Sequence, residues 1–156
     1  MRVIVGADHA ATELKEGVRA SLEAEGYSVE DVSPETPTSG DDYPDYAFLV
    51  AEKVAADPAG TRGILACDTG IGMAIAANKV PRIHAALVMN EFGARRAREH
   101  NNANILVLGS ELVTLEEAVR LASVFLTTAF SGAERHVRRI GKITSKETGG
   151  EGKGGR

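Results

Sequence analysis

At 156 residues the chain has room for one domain with a single substantial core, and its 43% apolar and 26% charged residues exclude a fibrous or wholly disordered chain. A net charge of −4 gives no footing for general nucleic-acid binding, and the single cysteine, Cys67, excludes an internal disulfide framework and suits a reducing compartment. The first apolar run is cut short by Asp8 and His9 and no run approaches membrane-spanning length, so the expectation is a cytoplasmic protein with no nucleic-acid or membrane partner.

Strand and helix patterns alternate from the start. Residues 2–7 are a compact run rich in β-branched side chains, the mark of a buried strand. Residues 10–25 place Ala11, Leu14, Val18 and Leu22 at helical spacing, and Gly26 ends that helix. A second strand spans 27–32. Pro34, Pro37 and Gly40 mark 33–42 as a loop. Pro44 suits the first turn of a helix that runs to 56, stopping before Asp57-Pro58. Residues 63–66 form a third strand, leading through a polar glycine loop into a short helix that ends at 78. A fourth strand spans 83–88, a helix 91–100 and a fifth strand 104–108. Thr114 caps a helix to 127, with Glu116 and Glu117 in its first turn. A basic helix covers 133–143. The tail 149–156 has no apolar residue and is predicted to be disordered, which leaves 1–148 as one domain.

Strands separated by helices predict a five-stranded parallel sheet covered on both faces. The fold class is therefore α/β, a three-layer αβα sandwich of Rossmann or flavodoxin-like type with an added C-terminal basic helix. Ligands of such sheets sit beyond the C-terminal strand ends. That rule nominates Asp8-His9, residues 67–73, Met89-Asn90 and the loop after the fifth strand.

The segment Cys67-Asp68-Thr69-Gly70-Ile71-Gly72-Met73-Ala74 runs from a strand into a helix. Its glycines let the backbone approach a ligand, and a helix start offers unpaired N–H groups to negative charge. A G-x-G loop alone also fits a nucleotide phosphate loop, but neither the G-x-x-x-x-G-K-[ST] spacing nor the full dinucleotide fingerprint is present. Cys67, at a strand end near a helix start, is either a buried structural thiol or a base or nucleophile, and its location favours the second. Asp8 is a helix cap, a pocket residue, or both; His9 either binds an anion, moves a proton or is merely solvated. A histidine ending a helix, as His100 does, is by itself more often structural, and His84 and His136 are read the same way. Arg135 and Arg139, four apart, either clamp one phosphate or form a solvated basic face. The four histidines and one cysteine show no metal-binding spacing.

Taken together, Gly6-Ala7-Asp8-His9-Ala10, Asp42-Tyr43-Pro44-Asp45-Tyr46, the run 67–79 ending in Ile75-Ala76-Ala77-Asn78-Lys79, His100-Asn101-Asn102-Ala103-Asn104 and Arg135-His136 resemble the type B ribose-5-phosphate isomerase family. That family also includes galactose-6-phosphate isomerase subunits, and the resemblance runs from Arg2 to about Ile143. It implies aldose–ketose isomerisation through a cis-enediolate, without metal or organic cofactor. It further implies that Cys67 is the base, that Thr69 and His100 open the sugar ring, and that Asn101 with the backbone from Gly70 through Ile71, Gly72 and Met73 to Ala74 stabilises the oxyanion. His9, Arg135 and Arg139 match phosphate-binding positions, Tyr43 lines the pocket, and Asp8 and Asp68 border it. Family members are dimers or dimer pairs whose pockets are completed by the neighbouring chain, so a homodimer or dimer of dimers with shared sites is implied. A subgroup uses glutamate as base at the position of Met73, which cannot take a proton.

Three positions depart from the family pattern: Asp68 stands where glycine is common, Glu111 where many members have arginine, and Glu134 where glycine precedes Arg135. Each removes flexibility or adds negative charge near the expected pocket. Asp68 in particular is expected to raise the Cys67 pKa by like-charge proximity or to bind a sugar hydroxyl. The default substrate pair is ribose 5-phosphate and ribulose 5-phosphate. The alternatives are the same chemistry on a tetrose 4-phosphate or on allose or galactose 6-phosphate, a non-catalytic sugar-phosphate-binding subunit, and a flavodoxin-like nucleotide binder.

Overall fold

The computed structural model describes residues 1–34, 36 and 38–147; the tail at 149–156 lies outside the described residues. Five parallel strands, β1 (Arg2–Ala7), β2 (Ser28–Asp31), β3 (Thr61–Cys67), β4 (Ala85–Leu87) and β5 (Ile105–Gly109), form one sheet in the order β2-β1-β3-β5-β4. The helices are α1 (Thr12–Ala24), α2 (Tyr43–Ala56), α3 (Ile71–Ala77), α4 (Glu91–Asn101), α5 (Leu115–Thr127) and α6 (Glu134–Glu147). The predicted α/β sandwich is the observed architecture.

Side-chain alternation along the strands divides the core in two. Val3, Val5, Ile64, Ala66, Leu106 and Leu108 point to the face covered by α1, α4 and α5, where Leu14, Val18, Leu121 and Phe125 meet them. Ile4, Leu65, Ile105 and Val107 point to the opposite face, against Val50 and Val54 of α2 and Met73 of α3. Cys67 belongs to that second face, two residues beyond Leu65. Burial on both sides is why these strands read as unbroken apolar runs.

Several boundaries differ from expectation for local reasons. The first helix begins with a 3-10 turn, His9–Ala11, because the Asp8 carboxylate accepts the Ala10 N–H at 3.1 Å and caps it. The fourth strand is shorter than 83–88: the Ile83 N–H closes a turn onto the Val80 carbonyl, and the His84 N–H is taken by Asn104 Oδ1 at 2.8 Å. The last helix continues to Glu147, where Thr144 and Ser145 hydroxyls bond the carbonyls of Ile140 and Gly141.

Candidate active site

The order β2-β1-β3-β5-β4 reverses direction between β1 and β3, and ligand crevices open at such points. Ala7 pairs with Ala66 and Cys67 with Gly109, so the turns after β1, β3 and β5 emerge side by side. They are laced together. The Ser110 and Glu111 N–H groups donate to the Cys67 and Asp68 carbonyls at 3.0 Å each, and the Ser110 hydroxyl reaches the Ala10 carbonyl at 3.1 Å. From the other side, the Ala7 N–H donates to Ser33 Oγ at 2.9 Å. The Ser33 N–H is held by Asp31 at 2.8 Å, and Asp31 pairs with buried Lys15 at 2.5 Å.

Cys67 Sγ is buried at the end of β3 and accepts the Gly70 N–H at 3.2 Å. Gly70 adopts φ +74°, a left-handed conformation that turns the chain from strand to helix within three residues. Burial pushes the thiol above its ordinary pKa and the negative charge of Asp8 adds to this, while the Met73, Gly70 and Thr69 amides pull it down. The like charge acting on the thiol is therefore Asp8, buried across the ladder; Asp68, expected in that role, is exposed and is not among the causes.

Tyr43 opens α2 with its ring against the glycine loop: a Cβ on Gly72 would stand 2.5 Å from the ring's Cε2 and Cζ atoms. Thr69 is half-buried, its hydroxyl 3.4 Å from the Ile71 N–H. The Ala74 N–H donates to the Gly70 carbonyl at 3.0 Å, so it is committed to the helix rather than facing a ligand. The Met73 side chain is fully buried in the core, and only its amide belongs to the site. His9 is exposed beside Asp8.

A second group lies at the end of α4. The His100 and His136 rings stand 4.2 Å apart, with Arg96 on His100 Nε2 and Arg135 on His136 Nε2, both at 3.2 Å. Asn101 ends α4 in the open, and Arg139 is exposed one helical turn beyond Arg135. Among the described residues no hydrogen bond, ion pair or ring contact joins this group to the Cys67 loop. The predicted residues thus fall into two clusters: Asp8, His9, Tyr43 and 67–74 in one, His100, Asn101, Arg135 and Arg139 in the other. Sequence reasoning read His136 as structural and passed over Ser33 and Ser110; all three are ordinary residue types, and only the tertiary hydrogen bonds reveal their part. Among the described residues no group of three or more His, Cys, Asp or Glu side chains is placed to hold a metal ion, and no helix is long and apolar enough to cross a membrane.

Comparison with known proteins gives one result throughout. The Ribose/Galactose Isomerase family profile matches residues 3–143. A probable ribose-5-phosphate isomerase B of Mycoplasma genitalium is 43% identical over 145 residues, which is 93% of this chain and 95% of that protein. Among solved structures, ribose-5-phosphate isomerase B from Mycoplasma genitalium with bound ribulose-5-phosphate superposes with a TM-score of 0.91 at 42% identity, covering 94% of this chain and 96% of that one. The Clostridium thermocellum ribose-5-phosphate isomerase B matches with a TM-score of 0.90 at 42% identity, over 96% and 99% of the two chains.

Proposed function

This chain belongs to the ribose/galactose isomerase family, and from that premise we propose that it interconverts ribose 5-phosphate and ribulose 5-phosphate by proton transfer through a cis-enediolate, with Cys67 as base and no metal or organic cofactor. The observation that carries this reading is Cys67 Sγ, seated at a strand end beneath the first turn of α3 with a backbone N–H 3.2 Å away.

The chemistry follows from the arrangement. Thr69 and His100 open the furanose by moving a proton from the anomeric hydroxyl to the ring oxygen. The Cys67 thiolate takes the C2 proton as the C1 carbonyl gains electron density, producing the enediolate. The same sulfur returns that proton to C1 while a hydroxyl proton passes from O2 to O1, leaving the ketose. Charge that develops on the enediolate oxygens is met by fixed N–H donors at the helix start and by Asn101, which need no reorganisation. His9, Arg135 and Arg139 hold the phosphate.

One chain does not bring these groups together, which supports a shared site. Phe48 and Leu49 on α2 and Ile71 and Ile75 on α3 leave apolar side chains exposed on two helices that pack side by side. A second copy covering this face and presenting its own His100, Asn101, Arg135 and Arg139 to Cys67 would complete the pocket, as a homodimer or as a dimer of dimers.

The test is isomerisation by the purified protein, alone and as Cys67→Ala. Wild-type turnover of ribose 5-phosphate should fall by about 10²–10⁴-fold in the variant while binding of the sugar persists. Normal turnover by Cys67→Ala sinks the base assignment. Glu111 and Asp68, joined through their backbones with both carboxylates exposed, favour one second reading: the same reaction on a differently shaped sugar phosphate. Erythrose 4-phosphate, allose 6-phosphate and galactose 6-phosphate assayed beside ribose 5-phosphate decide between them.

A further inference from the structure

His136 sits in the first turn of α6 with only 3% of its surface exposed, and every polar atom of its ring is engaged. A guanidinium can only donate, so the Arg135 Nε–H at 3.2 Å identifies His136 Nε2 as the unprotonated nitrogen. The ring proton is then on Nδ1, which donates to Ser131 Oγ at 2.9 Å. Ser131 is itself anchored, its N–H donating to the Glu99 carbonyl on α4 at 3.1 Å. The same logic applies to its neighbour: Arg96 Nη1, 3.2 Å from His100 Nε2, makes that nitrogen the acceptor. The two rings lie 4.2 Å apart at 39°. Charged groups around the pair are Arg96 and Glu99 from α4 and Arg135 and Arg139 from α6. Burial, followed by His100, Arg135 and Arg139, holds the His136 pKa below its ordinary value, in keeping with the neutral tautomer that the hydrogen bonds require.

We propose that His136 is a positioning residue for the isomerase reaction: its ring braces His100 and its Nε2 orients the Arg135 guanidinium, so the ring-opening group and the phosphate clamp reach the substrate as one preset unit. The inference rests on the reading of His100 and Arg135 given above and adds a residue that touches neither base nor sugar. Two functions on one ring can be separated. Phe keeps the ring contact with His100 and loses both hydrogen bonds, whereas Gln places an acceptor where Nε2 was and loses the ring.

The experiment compares His136→Phe and His136→Gln in the full-length protein, after circular dichroism establishes that each is folded. It reads kcat on ribose 5-phosphate and the Kd for inorganic phosphate by calorimetry. His136→Phe should weaken phosphate binding by about tenfold, with the smaller effect on kcat, and His136→Gln should lower kcat by about tenfold, with the smaller effect on Kd. Equal shifts of both quantities in both variants, or no shift in either, overturn the proposal and leave His136 a packing residue. His100→Ala, run in parallel, separates the two levels. If it retains full kcat, the ring-opening role of His100 has failed; if it loses kcat while the His136 variants show no split, only the positioning role has failed.

Discussion

Cys67, the proposed base, sits in a place that discourages ionisation. Burial and Asp8 hold its pKa above the ordinary thiol value, against the opposing pull of three backbone amides. On the proposed reading the Cys67 thiolate is the active form, so kcat/KM should climb with pH across the alkaline range. Asp8→Asn removes the adjacent negative charge but keeps an oxygen for the Ala10 N–H, so the midpoint of that climb should move to lower pH in a pH–rate profile. The folded state also holds the thiol proton more tightly than the unfolded state. Its contribution to stability is present below the unfolded thiol's pKa and is lost as pH rises through the folded one. Sequence proximity suggested Asp68 for the role that Asp8 fills, and the reason is geometric. A neighbour in a turn points outward, whereas Ala7 and Ala66 are paired in the ladder and bring the residues that follow them together. A second expectation concerns the loop backbone. Gly72→Ala places a methyl against the Tyr43 ring, which must swing away, and steady-state kinetics should show kcat/KM reduced by about 10–100-fold with little change in thermal stability.

At the level of elements, much of the architecture was legible because buried parallel strands write themselves as apolar runs. Ile105–Gly109 is buried at every position and was easy to place. Ala85–Leu87 is only half-buried and has three small or medium side chains, so its limits were blurred, and its place at the sheet edge follows from that weaker apolar content. The C-terminal end of α6 was missed because Thr144 to Glu147 has no apolar stripe to read. The candidate site was legible where chemistry lies in consecutive residues, as in 67–74. It was hidden where a support comes from a distant element, as with Lys15, Asp31 and Ser33. That chain of contacts runs from α1 through β2 to the end of β1, and it can be cut. Lys15→Met leaves the Asp31 carboxylate without its cation and should cost about 2 kcal/mol in chemical denaturation, a figure reduced for the partial exposure of Asp31. The same variant should lower kcat, since the Ala7–Ser33 bond loses its anchor.

For the whole molecule, the separation of the predicted residues into two clusters makes a quantitative statement about assembly. If each site draws Cys67 from one copy and His100 from another, Cys67→Ala and His100→Ala homodimers are both inactive. Mixed and allowed to exchange subunits at random, half the dimers carry one intact site, and activity should return to about a quarter of the wild-type value. A mixture that stays inactive, under conditions where mass spectrometry shows exchange, means each site is built within one chain. The strand order carries a different consequence, for how the protein comes off the ribosome. β1 lies between β2 and β3, so these three can associate as soon as they are made, but β4 pairs with β5 alone and must wait for it. Until residues 105–109 emerge, β3 presents an open flank, and the carbonyls of Cys67 and Asp68 lack the Ser110 and Glu111 amides that later bind them. A nascent chain stalled before that point is a half-sheet whose turn after β3 is unfinished, so the candidate site cannot close until residues 105–111 have been synthesised, and α6 with Arg135 and Arg139 comes later still.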